Sequence, residues 1–315
     1  MATRTGRKGS FRYFDARGRE IRDLKTIERF ERLAIPPAWK DVWIASRPGA
    51  KLQATGYDRA GRKQYLYHAG FRAAQERAKF EKLIRFGEEL PNLRAAMAED
   101  LERDELDRRR VSAMAVRLIN LGWFRAGSDR HTERSGTYGI TTLQKRHVTV
   151  RGRRIRLEFL GKGRAKIRTT LVDDDLAAAM RELLSLRGGR VFRYVNNGDG
   201  LCNLTNRALN EYVKEHLGEE FTAKDFRTWG GTLLAAVEFA QREPDGKGAV
   251  TAVMRHVSAQ LGNTPAVCRA SYVAPAVVDQ YLQGTTIADF PPRQSRLEPE
   301  EESLLALLRF AADFE

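Results

Sequence analysis

Five residues spread along the chain have side chains that together suit phosphoryl transfer: Arg125, Lys162, Arg227, Asn263 and Tyr272. The last two share the segment Gly262-Asn263-Thr264-Pro265-Ala266-Val267-Cys268-Arg269-Ala270-Ser271-Tyr272, and Arg227 lies in Lys224-Asp225-Phe226-Arg227-Thr228-Trp229-Gly230. Two guanidinium groups, an ammonium, a neutral donor and a phenol suit attack on a phosphodiester without a metal ion. The first four would hold the charge of a developing phosphorane, and the phenol would attack.

Each residue has a role that its chemistry allows. A phenol with an ordinary pKa of about 10 needs a cationic pocket or a base before it becomes a nucleophile. Arg125, in Trp123-Phe124-Arg125-Ala126-Gly127, and Arg227 can fork onto the non-bridging oxygens of a phosphate. The neighbours Phe226, Trp229 and Gly230-Gly231 imply that Arg227 is buried. Lys162 crowns a turn, Gly161-Lys162-Gly163-Arg164, and a lysine on a hairpin tip suits protonation of a departing alkoxide. Asn263 has no proton to give up, so its role is electrostatic. Read singly, Lys162 is an ordinary surface turn and Gly262-Asn263 an ordinary helix end. The set of five carries the reading.

Other chemistries find no support. Gly161-Lys162-Gly163 lacks the frame of a phosphate-cradling P-loop and joins strands, so no ATP site is expected. The five histidines (His68, His131, His147, His216, His256) form no metal-ligand spacing, and no cofactor is implied. Cys202 and Cys268 are the two cysteines, which fits a reducing compartment. No signal-peptide core or membrane-length apolar run occurs, so a soluble cytoplasmic protein is expected.

The charge points to a polyanion. The 315 residues carry 55 Lys/Arg against 41 Asp/Glu, a formal net charge of +14. It is unevenly placed: residues 1–90 hold 21 basic against 11 acidic residues, and residues 145–168 hold ten basic residues and only Glu158. With 42% hydrophobic residues the chain can also bury a core, so it is no disordered basic tail.

The elements that must position these residues follow from pattern. Residues 1–12 read as flexible. Residues 11–68 are aromatic and turn-punctuated, with turns at Asp15-Ala16-Arg17-Gly18 and Asp58-Arg59-Ala60-Gly61. A short helix over 23–34 shows Leu24, Ile27 and Phe30 on one face and ends before Pro36-Pro37. A helix over 69–86 leads to an expected hinge at Gly87–Pro91, which divides a small β-rich domain (1–90) from a mostly α-helical one (91–315). Helices are expected over 94–121, 173–186, 203–217, 223–241, 250–261 and 275–282, and in an acidic, amphipathic last segment. In 147–171, Ile155, Leu157 and Phe159 alternate with Arg154, Arg156 and Glu158, the mark of a three-stranded antiparallel sheet. The fold class is α+β.

A second candidate surface is Arg62-Lys63-Gln64-Tyr65-Leu66-Tyr67-His68. Gln64 suits a base edge, Tyr65 and Tyr67 suit base or sugar faces, and Arg62 and Lys63 suit phosphates. An amphipathic strand with inward tyrosines fits equally well. His131, Lys145 and Lys224 are further candidate DNA contacts.

At these residues the chain resembles the small, poxvirus-like type IB DNA topoisomerases, in their bacterial branch. The likeness covers roughly 20–285. It includes Leu33-Ala34-Ile35-Pro36-Pro37-Ala38-Trp39-Lys40-Asp41-Val42-Trp43-Ile44, Leu52-Gln53-Ala54-Thr55-Gly56, the 62–68 segment, and the five candidate residues in the family's order. The resemblance implies a C-shaped clamp around duplex DNA, closed by a β-rich domain and an α-rich catalytic domain of the fold shared with tyrosine recombinases. It implies a 3′-phosphotyrosyl intermediate at Tyr272, strand swivelling and religation without ATP or metal, by a monomer associated with the bacterial nucleoid. One departure is Asn263, where many members have His.

Two other readings compete. Tyrosine recombinases share the Arg-Lys-Arg-Tyr chemistry, but they typically place His where this chain has Lys224, and usually begin with a helical domain. A non-catalytic DNA-binding protein would explain the charge and leave Tyr272 and Lys162 idle.

Overall fold

A computed structural model describes residues 1–7, 9–196, 200–243 and 246–313. The chain forms two compact units, Met1–Phe80 and Glu81–Glu315. The division falls ten residues ahead of the boundary expected at residue 90. Among the described residues no helix is long and apolar enough to cross a membrane.

The first unit contains β1 (Ala2–Thr5), β2 (Arg12–Asp15), α1 (Leu24–Arg32), β3 (Lys40–Ile44), β4 (Leu52–Tyr57) and β5 (Lys63–Tyr67). The strands form one antiparallel sheet in the order β2-β1-β3-β4-β5. The expectation of a flexible start is overturned, since β1 lies inside the sheet. Its polar sequence gives no strand signal; its place is fixed by two neighbouring strands, by buried Ala2, and by Arg4, which donates to the Ile35 and Pro36 carbonyls at 2.9 Å each. Lys8 lies outside the described residues.

Both expected turns form, and by one device. Asp15 Oδ1 accepts from the Arg17 and Arg19 amides, and Asp58 Oδ1 from the Ala60 and Arg62 amides. Helix α1 starts at its N-cap Asp23, whose carboxylate takes the Thr26 amide at 2.9 Å. Phe30 is buried against Tyr13, Val42, Ile44 and Ala54, with Ile27 beside them. Leu24, expected on the same face, is 80% exposed.

Helix α2 (Ala69–Leu101) runs unbroken through Gly87–Pro91, so the expected hinge is absent. Leu83, Phe86, Leu90, Leu93 and Met97 form a continuous buried stripe that holds it. Pro91 would have bonded the Gly87 carbonyl had it an N–H. Gly87 is there for packing: a Cβ would sit 2.5 Å from the Trp229 ring.

The chain continues through α3 (Arg108–Gly122), α4 (Asp129–Ser135), β6 (Val148–Arg151), β7 (Arg154–Leu160), β8 (Lys166–Val172), α5 (Asp174–Ser185), β9 (Arg193–Asn196) and β10 (Gly200–Asn203). It ends with α6 (Asn206–Leu217), α7 (Asp225–Ala240), α8 (Gly246–Leu261), α9 (Pro265–Ser271), α10 (Pro275–Leu282) and α11 (Pro299–Asp313). The sheet β6-β7-β8 has the alternation read from sequence, with Ile155, Leu157 and Phe159 buried and Arg154, Arg156 and Glu158 exposed. The short helices α4 and α9 and the β9–β10 hairpin carry too little apolar periodicity to be read in advance.

Candidate active site

Arg125 is placed by the end of α3. Trp123 takes a left-handed conformation (φ 51°) and its amide bonds the Ile119 carbonyl at 2.7 Å, which turns the chain sharply. Phe124 is buried and Arg125 follows it. The loop is braced by bonds from the Ile140 amide to the Arg125 carbonyl (3.0 Å) and from the Thr141 amide to the Ala126 carbonyl (2.7 Å). Gly139 permits this approach, because a Cβ there would lie 2.5 Å from Gly127 Cα and 2.6 Å from the Arg125 carbonyl oxygen.

Arg227 occupies the first turn of α7 and is 4% exposed, as its apolar neighbours implied. Its Nη2 donates to the Leu261 carbonyl at 2.8 Å and its Nη1 to the Trp123 carbonyl. Two unlike segments, the end of α3 and the end of α8, therefore grip one guanidinium. Gly230 abuts the Trp123 ring, and a Cβ on Gly231 would lie 2.6 Å from the Tyr272 carbonyl oxygen. The Gly-Gly pair is what lets α7 pack this closely.

The Asn263–Tyr272 segment is a short helix with signals at both ends. Gly262 closes α8 at φ 59°, and the Asn263 amide bonds the Ser258 carbonyl at 2.9 Å. Thr264 caps α9, and Pro265 begins it. Gly262 thus supplies the helix end, while the Asn263 side chain is free to accept from Arg125 through Oδ1. Tyr272 follows α9, is 9% exposed, and has the Arg227 guanidinium carbon 4.9 Å from its ring centroid.

Burial pushes the Tyr272 phenol up, but the hydrogen bond and charge of Arg227, with the charges of Arg125 and Lys224, outweigh it, so the pKa falls below the ordinary value. Arg227 is itself lowered, first by burial and then by the Arg125 charge. Burial raises the Cys268 thiol, and the nearby Asn263 amide and Arg227 and Arg125 charges oppose it. Two buried donors, Arg227 Nε and Asn263 Nδ2, have no hydrogen-bond partner of ordinary geometry.

Lys162 stands exposed on the β7–β8 turn, where Gly163 (φ 73°) and Arg164 (φ 61°) are left-handed. It shares one cleft of about 460 Å³ with Arg125, Arg227 and Tyr272. His131 and Lys224 line the same cleft, as do Asn206, Asn210 and Thr222, which sequence reasoning did not single out. These last are ordinary polar residues in sequence; only the fold brings them here. Lys145 is elsewhere engaged, its ammonium bonded to the Leu186 carbonyl. Among the described residues no group of three or more His, Cys, Asp or Glu residues is arranged to hold a metal ion.

The second candidate surface lies on edge strand β5. Tyr65 (50% exposed) and Tyr67 face outward with Lys63, and the two rings stack with centroids 6.3 Å apart. The reading with inward tyrosines is excluded. Gln64 points to the opposite face, where its Nε2 donates to Asp58 Oδ2 at 2.9 Å. The same carboxylate, held at about 2 by the Arg62 hydrogen bonds, fixes Arg62. Gln64 and the tyrosines thus leave the strand on different sides.

Comparison with known proteins meets this geometry. Residues 68–286 match the family model described as the catalytic core of eukaryotic DNA topoisomerase I, and residues 10–58 match the N-terminal domain of bacterial DNA topoisomerase IB. The chain is 33% identical to the DNA topoisomerase 1B of Acanthamoeba polyphaga mimivirus over 290 residues, covering 88% of this chain and 86% of the viral one. It is 21% identical to the vaccinia virus (strain Copenhagen) DNA topoisomerase 1B over 270 residues, covering 82% of each. Arabidopsis thaliana DNA topoisomerase 1 beta is 24% identical over 179 residues, 56% of this chain and 19% of the plant protein. With both domain models matched in order and a third of the residues shared with a relative along most of its length, the chain belongs to the type IB DNA topoisomerases, enzymes that relax duplex DNA.

Proposed function

We propose that this topoisomerase cuts one strand of supercoiled duplex DNA with Tyr272. The phenol oxygen attacks the scissile phosphorus, the bond to the 5′-oxygen breaks, and a 3′-phosphotyrosyl ester forms while the cut strand swivels. Religation reverses the step. Arg125 and Arg227 hold the non-bridging oxygens, Lys162 protonates the leaving 5′-oxygen, and Asn263 donates through Nδ2. The ester conserves the energy of the broken bond, so supercoil strain drives relaxation; independence of ATP and metal is general to type IB enzymes.

The observation that carries this reading is the convergence of Arg125, Lys162, Arg227 and Tyr272 on one cleft from segments up to 147 residues apart. The buried donors Arg227 Nε and Asn263 Nδ2 support it further, because N–H groups without a partner of ordinary geometry suit phosphate oxygens. The same reading extends to the whole molecule. Lys63, Tyr65 and Tyr67 meet the DNA, with Arg62 and Gln64 at the margin of that surface. His131 and Lys224 extend the catalytic cleft along the strand. The enzyme acts as a monomer at the nucleoid. A recombinase would share the chemistry, but both matched models are those of topoisomerases.

The test uses nicked suicide DNA, which traps the ester. Wild type should give a denaturation-resistant adduct on Tyr272 by mass spectrometry, and Tyr272→Phe none. An adduct in the variant, or a nucleotide on another residue, sinks the proposal.

A further inference from the structure

Helix α11 lies beyond residue 286, where the catalytic-core match ends. Its first turn holds a buried carboxylate. Glu301 is 5% exposed and takes both Nη1 and Nη2 of Arg94 at 2.6 and 2.8 Å. The same group accepts the Trp229 indole N–H at 3.1 Å and the amide of Glu298 at 3.3 Å. A carboxylate this deep is tolerated because four donors meet its two oxygens.

Trp229 is two residues beyond Arg227 on α7. Its ring lies against Gly87 so closely that any side chain there would collide, and Phe86 lies 5.9 Å from it, centroid to centroid. On another side α7 meets Trp123, whose carbonyl holds Arg227. The helix is thus anchored on one side by its own Trp229 and on another by contact with Trp123, and Glu301 fixes the first.

We infer that Glu301 is a positioning residue for strand cleavage: through Trp229 it holds α7 in the register that aims Arg227, so that the C-terminal helix is a working part of the active site. This rests on Arg227 acting at the scissile phosphate. Removing the carboxylate takes the acceptor from the indole N–H and leaves the Arg94 guanidinium only Asn120 Oδ1, at 3.4 Å. The indole then loses the contact that fixes it, and α7 gains freedom to shift. A displacement of about 1 Å in such a group lowers rates by on the order of 10², and a partial shift by on the order of tenfold.

The experiment compares Glu301→Gln and Trp229→Phe in the full chain, each also placed in an Arg227→Lys background. Trp229→Phe removes the indole donor together with the far edge of the ring that meets Gly87, and it serves as the second variant if the glutamine variant fails to fold. Single-turnover cleavage of suicide DNA should slow about tenfold, while non-covalent duplex affinity, measured with Tyr272→Phe added, stays within twofold. In the Arg227→Lys background the same changes should add nothing. Unchanged cleavage in both variants, or an equal loss with and without Arg227, overturns the inference. Wild-type cleavage by Arg227→Lys overturns the site assignment itself, and this inference with it.

Discussion

Arg125 donates to the side-chain oxygen of Asn263 across 138 residues of sequence. Arginine is only ever a donor, so the bond fixes which way the amide faces. Oδ1 is committed to Arg125, and Nδ2 is left buried near the Cys268 thiol with no hydrogen-bond partner of ordinary geometry. A residue that reads as a helix-end turn is therefore both a brace for one arginine and a spare donor. A histidine at this position could offer a proton; asparagine offers only the hydrogen bond.

The two roles separate by mutation. Asn263→Asp keeps an acceptor for Arg125 and loses the donor, while placing negative charge beside the phosphate. If bracing were the whole function, aspartate would serve as well as asparagine. The expected outcome is a cleavage rate reduced by at least about 10², and reduced further than in Asn263→Ala. Single-turnover kinetics on suicide DNA make the comparison.

The pH dependence follows from the cations around Tyr272. In the proposed mechanism the Tyr272 phenolate is the attacking form, so cleavage should rise with pH and level off above the Tyr272 pKa. Arg227 is the strongest opponent of burial there, with Arg125 and Lys224 behind it, and the rise should fall below the ordinary phenol range. Arg227→Ala removes the main lowering influence, so its slower reaction should also rise at higher pH than in wild type. A profile that keeps its midpoint in the variant would show that Arg227 does not set the ionisation.

Gly139→Ala tests the Arg125 loop. The new methyl would meet the backbone of Gly127 and the Arg125 carbonyl oxygen at 2.5 and 2.6 Å, and backbone atoms cannot rotate aside as a side-chain tip can. A loss of about 3 kcal/mol in stability is expected, read from the denaturant midpoint, with a larger proportional loss of cleavage than of duplex binding. Gly139 is itself extended (φ −142°), so its alanine suffers the collision alone, and Gly152→Ala, with a positive φ of 55° and nothing within 4 Å, is the contrasting control for backbone strain without collision.

The local setting of the candidate site was legible because its residues sit in segments with unusual composition: Gly-Gly after a buried arginine, and Gly-Asn-Thr-Pro before a tyrosine. The β6–β8 sheet was legible because one face is wholly apolar. Failures came where tertiary contacts outweigh local preference. Strand β1 has one buried residue and takes its place from its neighbours. Helix α2 crosses Gly87 and Pro91 because its buried stripe offsets one missing hydrogen bond. Nor does any sequence pattern in the basic run that begins at Lys145 reveal that the Leu186 carbonyl lies within reach of its ammonium.

That difference between lysines gives a further test. Lys63 is exposed, on the tyrosine face of β5, whereas the Lys145 ammonium is tied to the Leu186 carbonyl. A lysine that neutralises a phosphate releases about one counterion, so its loss should lower the slope of log affinity against log salt by about one. Lys63→Ala should show that change in filter binding of duplex DNA, measured with Tyr272→Phe to prevent cleavage. Lys145→Ala should leave the slope unaltered and instead lower the melting temperature, because a half-buried carbonyl loses its partner. A reduced slope for Lys145→Ala would mean that the ammonium leaves Leu186 for the DNA backbone.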